Sequence, residues 1–268
     1  MTDSAGLRFL YRTAPGRILL KLLVRPWLSK LAGWFLSAKP SRLLIAGFRK
    51  KNGIALDGID VPEGGFQSFN EFFSRKRLHT AFDADPARLI SPCDGRLTCF
   101  PITEDCRFSV KHTQYSLSEL LKSETLARDF SGGTALIFRL APSDYHRYCF
   151  VDDGTVTAKK KISGTLHCVR PIATEVFPVY VQNAREYAVY ASANFGTLVQ
   201  MEVGALLVGK IANHTASEAK RGDEKGFFQF GGSTVILLLQ KDAVNVDSRF
   251  SADTEVQVRL GECVAYKK

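Results

Sequence analysis

The residues best suited to chemistry in this chain lie in the segment FQFGGSTVILLLQ, 228–240, where Gly231, Gly232 and Ser233 directly precede a continuous apolar run. A run of that length bounded by glycine reads as a buried strand, so Ser233 stands where a strand enters the core. Two consecutive glycines leave the carbonyl before Ser233 sterically open and permit backbone conformations closed to other residues. Such a turn can aim the Ser233 hydroxyl at the Gly232 carbonyl. Three other segments carry titratable groups: SPCDG (91–95) puts Asp94 in a turn before a strand, LAPSDYHRY (140–148) puts His146 in a loop after one, and LHCVRPIA (166–173) supplies His167. Each also has an ordinary reading. Gly-Gly-Ser is a common turn, Asp before Gly is a turn residue, and a lone histidine beside Tyr and Arg often sits satisfied in a core or on a surface.

The elements that must position these residues follow from hydrophobic period. Short β-branched or alternating runs at 96–102, 135–140, 155–162, 187–191, 197–203, 206–211, 234–239 and 256–260 predict strands, separated by Gly, Asp, Asn and Pro. A helix is predicted across 69–77 and another across 117–126. The sum is an α+β fold with a mostly antiparallel β-sheet body, 69–268, preceded by a glycine-rich linker, 52–68. No internal repeat or phosphate-binding glycine loop is visible.

Residues 1–51 differ from the rest. They hold eleven Lys and Arg against Asp3 alone, a net +10, so the other 217 residues sum to −1 of the chain's +9. Between these charges Leu10, Ile18, Leu19, Leu22, Leu23, Trp27, Leu28, Leu31, Trp34 and Phe35 recur at helical spacing, which predicts an N-terminal amphipathic helical arm cut into short pieces by Pro15, Pro26 and Pro40. The longest charge-free stretch, 31–38, is far short of the ~18 apolar residues a spanning helix needs, so the arm is expected to lie on an anionic phospholipid membrane rather than cross it. Docking of the apolar stripe on the body is the alternative; a transit peptide fits less well, because serines are few. Basic residues interleaved with large aliphatic ones suit lipid and argue against nucleic acid. Six scattered cysteines without C-x-x-C spacing predict reduced thiols, no metal site and a cytosol-facing protein.

Taken in order, FNEFF (69–73), SPCDG, the DYHRY loop, the NFG…EVGALLVGKI run (194–211) and GGST resemble the phosphatidylserine decarboxylases, in the branch with a GGST cleavage motif. The resemblance implies a chain that cleaves itself between Gly232 and Ser233 into a β chain, 1–232, and an α chain, 233–268, converting Ser233 into a covalent pyruvoyl cofactor. It implies a charge-relay set of Asp94, a histidine and Ser233, and a Schiff base between the pyruvoyl ketone and phosphatidylserine that releases carbon dioxide and leaves phosphatidylethanolamine. His146 is then the expected proton donor, since an unperturbed imidazole titrates near neutrality. A peripheral protein on the cytoplasmic face of the membrane and, by analogy with the family, a homodimer complete the expectation.

One position departs from the family pattern. Many members carry a second histidine three residues after the one matching His146, whereas this chain has Cys149. The relay base must come from His146, His167 or Cys149, with His146 favoured because a thiol is the poorer base near neutral pH. His79, His112 and His214 are expected on the surface. Two rival readings are a decarboxylase of another serine-headed lipid and a membrane-surface scaffold that has lost self-processing.

Overall fold

A computed structural model describes residues 4–111, 113–206 and 210–268. Its centre is an eight-stranded antiparallel sheet of β1 (Gly95–Pro101), β2 (Thr134–Leu140), β3 (Gly154–Ile162), β4 (Arg185–Ser192), β5 (Gly196–Val203), β6 (Glu218–Ala219), β7 (Ser233–Leu239) and β8 (Val256–Val258). The strand order is β6-β3-β4-β5-β7-β2-β1-β8. With short helices added, this is the α+β, mainly antiparallel body that the sequence predicts. Every residue of β7 is buried. Val235, Leu237 and Leu239 join one core cluster and Ile236 and Leu238 the other, which is why this strand reads as an unbroken apolar run. Over the first face lies a small sheet of Ile211–Asn213, Glu224–Phe228 and Arg147–Cys149, contributing Tyr148, Cys149 and Phe228 to that core. The second face receives Leu117, Leu120, Leu121 and Ala127 from two short helices.

Two predicted helices differ in extent. The one expected over 69–77 ends at Phe73, and Lys76–Arg77 instead form a strand paired with Ile59–Asp60 of the linker, a turn that lets Arg77 reach Asp94. The one expected over 117–126 is two helices, because Lys122 adopts the left-handed conformation (φ +51°) and Ser123 caps a new helix by accepting from the Leu126 amide. Of the strand expected over 206–211, residues 207–209 lie outside the described residues, as does His112; Ile211 opens a strand that runs to Asn213.

The N-terminal arm is helical, with α1 (Ala5–Arg12), α2 (Ala14–Leu23), α3 (Pro26–Ser37), a 3₁₀ turn (Lys39–Leu43) and α4 (Leu44–Asn52). It docks on the body through Tyr11, Leu20, Val24 and Leu36, but the side chains it buries also include small ones, Gly16, Ser29, Gly33 and Ser41. Its bulky apolar residues face outward. Ile18 is 71% and Trp34 72% exposed, with Leu22, Trp27, Leu31 and Phe35 more than half exposed as well. Among the described residues no helix is long and apolar enough to cross a membrane.

Candidate active site

Register decides which residues meet at the end of the sheet. Ser233, the first residue of β7, pairs with Leu140, the last of β2, while Arg139 pairs with Arg96 at the start of β1. Asp94 and Ser233 therefore flank the end of β2, two inter-strand spacings or about 10 Å apart. Gly95 belongs at this crossing because a Cβ there would stand 2.9 Å from the Arg139 carbonyl oxygen.

The turn before Ser233 is held from the arm. Asn70, in α5 (Phe69–Phe73), accepts from the Phe230 amide at 3.1 Å and donates to the Gly33 carbonyl (3.0 Å) and Ser37 Oγ (2.9 Å) of α3. The Phe230 ring packs edge-to-face on Phe48, Phe69 and Phe73. Gly231 then takes φ +140°, a conformation L side chains rarely adopt, whereas a Cβ on Gly232 would meet nothing nearer than Val169 Cγ2 at 3.6 Å. Ser233 follows, fully buried, and its Oγ has no hydrogen-bond partner among the described residues.

His146 is also fully buried, its ring 4.1 Å from that of Phe73. Nδ1 donates to the Asp144 carbonyl at 2.9 Å, which fixes the tautomer and leaves a lone pair on Nε2, an atom that completes no hydrogen bond among the described residues. Burial pushes the pKa down to about 3, with Arg75 adding to the fall and the carbonyls of Asp144 and Gly231 opposing it. The ring is thus held in its neutral form in the intact chain.

Asp94 is buried, and among the described residues its carboxylate makes no hydrogen bond to a histidine. Arg77 grips both carboxylate oxygens (3.1 and 2.5 Å) and the Leu260 amide donates to Oδ1 at 2.9 Å. His167 lies with the arm, stacked on Phe177, with Nδ1 3.5 Å from the Tyr11 hydroxyl, and burial lowers its pKa to about 4. Its segment still borders the turn, since Val169 faces Gly232. Cys149 is buried in the core, where its amide donates to the Pro92 carbonyl, and burial pushes its thiol up. No disulfide bridges any of the six cysteines. His79 and His214 are exposed, as expected; His214 pairs with Glu224.

The profile of the family described as phosphatidylserine decarboxylase matches residues 69–266. The chain belongs to that family. Phosphatidylserine decarboxylase proenzyme 2 of Clostridium acetobutylicum is 43% identical over 263 residues, 96% of this chain and 90% of that protein. Phosphatidylserine decarboxylase proenzyme of Ruminiclostridium cellulolyticum is 42% identical over 269 residues, again 96% and 90%.

In this member of the decarboxylase family the charged surroundings of the turn include groups that motif reading passed over. Arg75 is buried and, among the described residues, its guanidinium donates to the carbonyls of Phe73, Ser143 and Asp144, at 3.3–3.4 Å. Burial first, then Arg77, lowers its pKa. Arg75, Arg77, Asp94 and Tyr145 line a cavity of about 1080 Å³. The signal of the two arginines in the sequence is the RKR triplet, 75–77, one residue after FNEFF. Tyr11, the partner of His167, had none beyond its place on the arm.

Proposed function

We propose that this chain decarboxylates phosphatidylserine to phosphatidylethanolamine at a membrane surface, using a pyruvoyl group made from its own Ser233. The observation that carries the reading is a fully buried serine hydroxyl without a hydrogen-bond partner, set behind a glycine turn, in a chain whose relatives are named proenzymes. A buried hydroxyl left unpaired is costly, and such cost tends to mark functional positions. The room beside Gly232 fits the group, since even a Cβ there would meet nothing nearer than Val169 Cγ2 at 3.6 Å.

Cleavage between Gly232 and Ser233 divides the chain into 1–232 and 233–268. The Ser233 oxygen attacks the Gly232 carbonyl carbon and the peptide C–N bond breaks; elimination across Cα and Cβ of Ser233 then releases Gly232 as a carboxylate and leaves an enamine, whose imine tautomer is hydrolysed by water to the α-keto end and ammonia. The pyruvoyl group supplies a ketone beside an amide carbonyl, an electron sink for a departing carboxylate. His146, neutral and with a bare Nε2 beside the turn, carries protons at this site. Asp94, held by Arg77, fixes a negative charge at the cavity that admits the headgroup. His167 and Tyr11 anchor the arm to the segment over Gly232. The arm itself rests on lipid, its outward Ile18, Trp27, Leu31 and Trp34 entering the interface and its eleven basic residues meeting anionic headgroups, as a peripheral protein of the cytoplasmic face.

The test is carbon dioxide release from phosphatidylserine vesicles by the wild-type chain and by Ser233→Ala. Turnover by the wild type and none by the variant supports the reading; equal turnover by both removes it.

A further inference from the structure

Among the described residues six buried side-chain polar atoms lack a hydrogen-bond partner, and besides Ser233 Oγ and His146 Nε2 they include Glu202 Oε1, on β5. Glu202 is fully buried, and both hydrogen bonds to its carboxylate land on Oε2, from Lys225 Nζ at 2.6 Å and Asn213 Nδ2 at 3.1 Å. Lys225 also donates to Asn213 Oδ1, which accepts from the Tyr148 hydroxyl as well, and Asn213 donates to Glu186. One oxygen is therefore clamped and the other bare.

The register places Glu202 relative to Ser233. Glu202 pairs with Val235, and Leu198 and Val235 belong to the same core cluster, so by alternation Glu202 and Ser233 share one face of the sheet. They are diagonal neighbours across β5 and β7, roughly 7–8 Å apart at Cα, within reach of a long side chain. Continuing the pairing past Val203 and Thr234 sets Gly204, which has no side chain, opposite Ser233. Nothing on β5 stands between them.

We propose that Glu202, held by Lys225, accepts the Ser233 hydroxyl proton in the first step of chain cleavage. The inference rests on the self-cleavage reading above. As Oγ bonds to the Gly232 carbonyl carbon, its proton passes to Oε1; the Gly232–Ser233 C–N bond breaks, and the leaving nitrogen takes the proton back, so an ester and a free amine form with Glu202 unchanged. His146 Nε2 is left for the Cα proton, whose removal breaks the Cβ–O bond. This division gives the chain two bases at one serine and needs no histidine at position 149. Burial outweighs Lys225 and Asn213 and leaves the Glu202 pKa raised, so its carboxylate is a stronger proton acceptor than an exposed one.

The experiment follows the purified precursor on denaturing gels, with and without hydroxylamine, which cuts esters. Glu202→Gln is expected to lengthen the half-time of cleavage at least about a hundredfold, the usual worth of a positioned base, and to give no hydroxylamine-sensitive ester. His146→Asn is expected to stop later, with the ester formed and cut by hydroxylamine. Because Gln leaves Lys225 without its countercharge, the fold control is Glu202→Leu with Lys225→Met, an apolar swap of the kind that buried ion pairs tolerate. A folded double variant that stays uncut supports the proposal. A double variant that cleaves at the wild-type rate overturns it, leaving the pair purely structural, whereas a wild type that never cleaves overturns the self-cleavage reading itself.

Discussion

Acid should unfold this protein early, and one buried ring should account for much of the loss. His146 binds a proton near pH 6.5 when unfolded but only near pH 3 in the folded chain, so between those values the unfolded state holds more protons and stability rises with pH. The contribution is complete above about pH 6.5 and drains away as the pH falls toward 3. At about 1.4 kcal/mol per pH unit the loss between pH 7 and 5 comes to roughly 2 kcal/mol, a sizeable part of a typical total of about 5–15 kcal/mol. The comparison is Ser233→Ala with Ser233→Ala/His146→Asn, both uncut, in urea melts at pH 7 and 5. Asparagine keeps a donor near the Asp144 carbonyl but cannot titrate, and His167, whose pKa is lowered in the same direction, is common to both chains. The His146 chain should lose about 2 kcal/mol more than its partner over this range. Parallel losses would refute the reasoning, since they would mean that the ring takes up its proton without leaving the fold.

Arg77→Met removes both charged hydrogen bonds to Asp94, leaving only the Leu260 amide, and should cost about 1.5–3 kcal/mol in urea melts, with Arg77→Lys restoring part; an unchanged midpoint contradicts the pairing. Gly231→Ala must carry a side chain at φ +140° and should cost about 1–3 kcal/mol and slow processing, whereas Gly232→Ala, which has room, should fold normally; equal stabilities would contradict the turn geometry. Ile18→Ser with Trp34→Ser should leave the melting temperature within a few degrees but weaken binding to anionic vesicles at least about tenfold, each lost side chain being worth about 1.5–3 kcal/mol on full burial. Unchanged vesicle flotation would remove the arm from the interface.

Much of this was legible in the residues. Glycine before an apolar run located Ser233 at a strand's first position, and the β-branched runs located the sheet, because period and punctuation are local properties. Helical spacing located the arm, yet it could not say that the arm would turn glycines and serines inward and leave tryptophan outside. That inversion depends on the shape of the body beneath. The partners of Asp94 were equally hidden. Arg77 and the Leu260 amide are distant in sequence and meet Asp94 only once Lys76–Arg77 leaves the helix for the strand with Ile59–Asp60. Cys149 drew attention as a missing histidine, while Glu202 drew none, since a glutamate inside an alternating strand gives no sign of being buried until the small sheet carrying Lys225 closes over it.

In the function proposed above, the backbone between Gly232 and Ser233 is broken by its own chain. An intact-mass spectrum of the purified, catalytically active protein tests it most directly. Expected are a long fragment ending at Gly232 and a short one of residues 233–268 whose first residue carries a ketone in place of an amine, with Ser233→Ala remaining one chain. A single uncut chain of the full 29.7 kDa in a preparation that releases carbon dioxide from phosphatidylserine would contradict it.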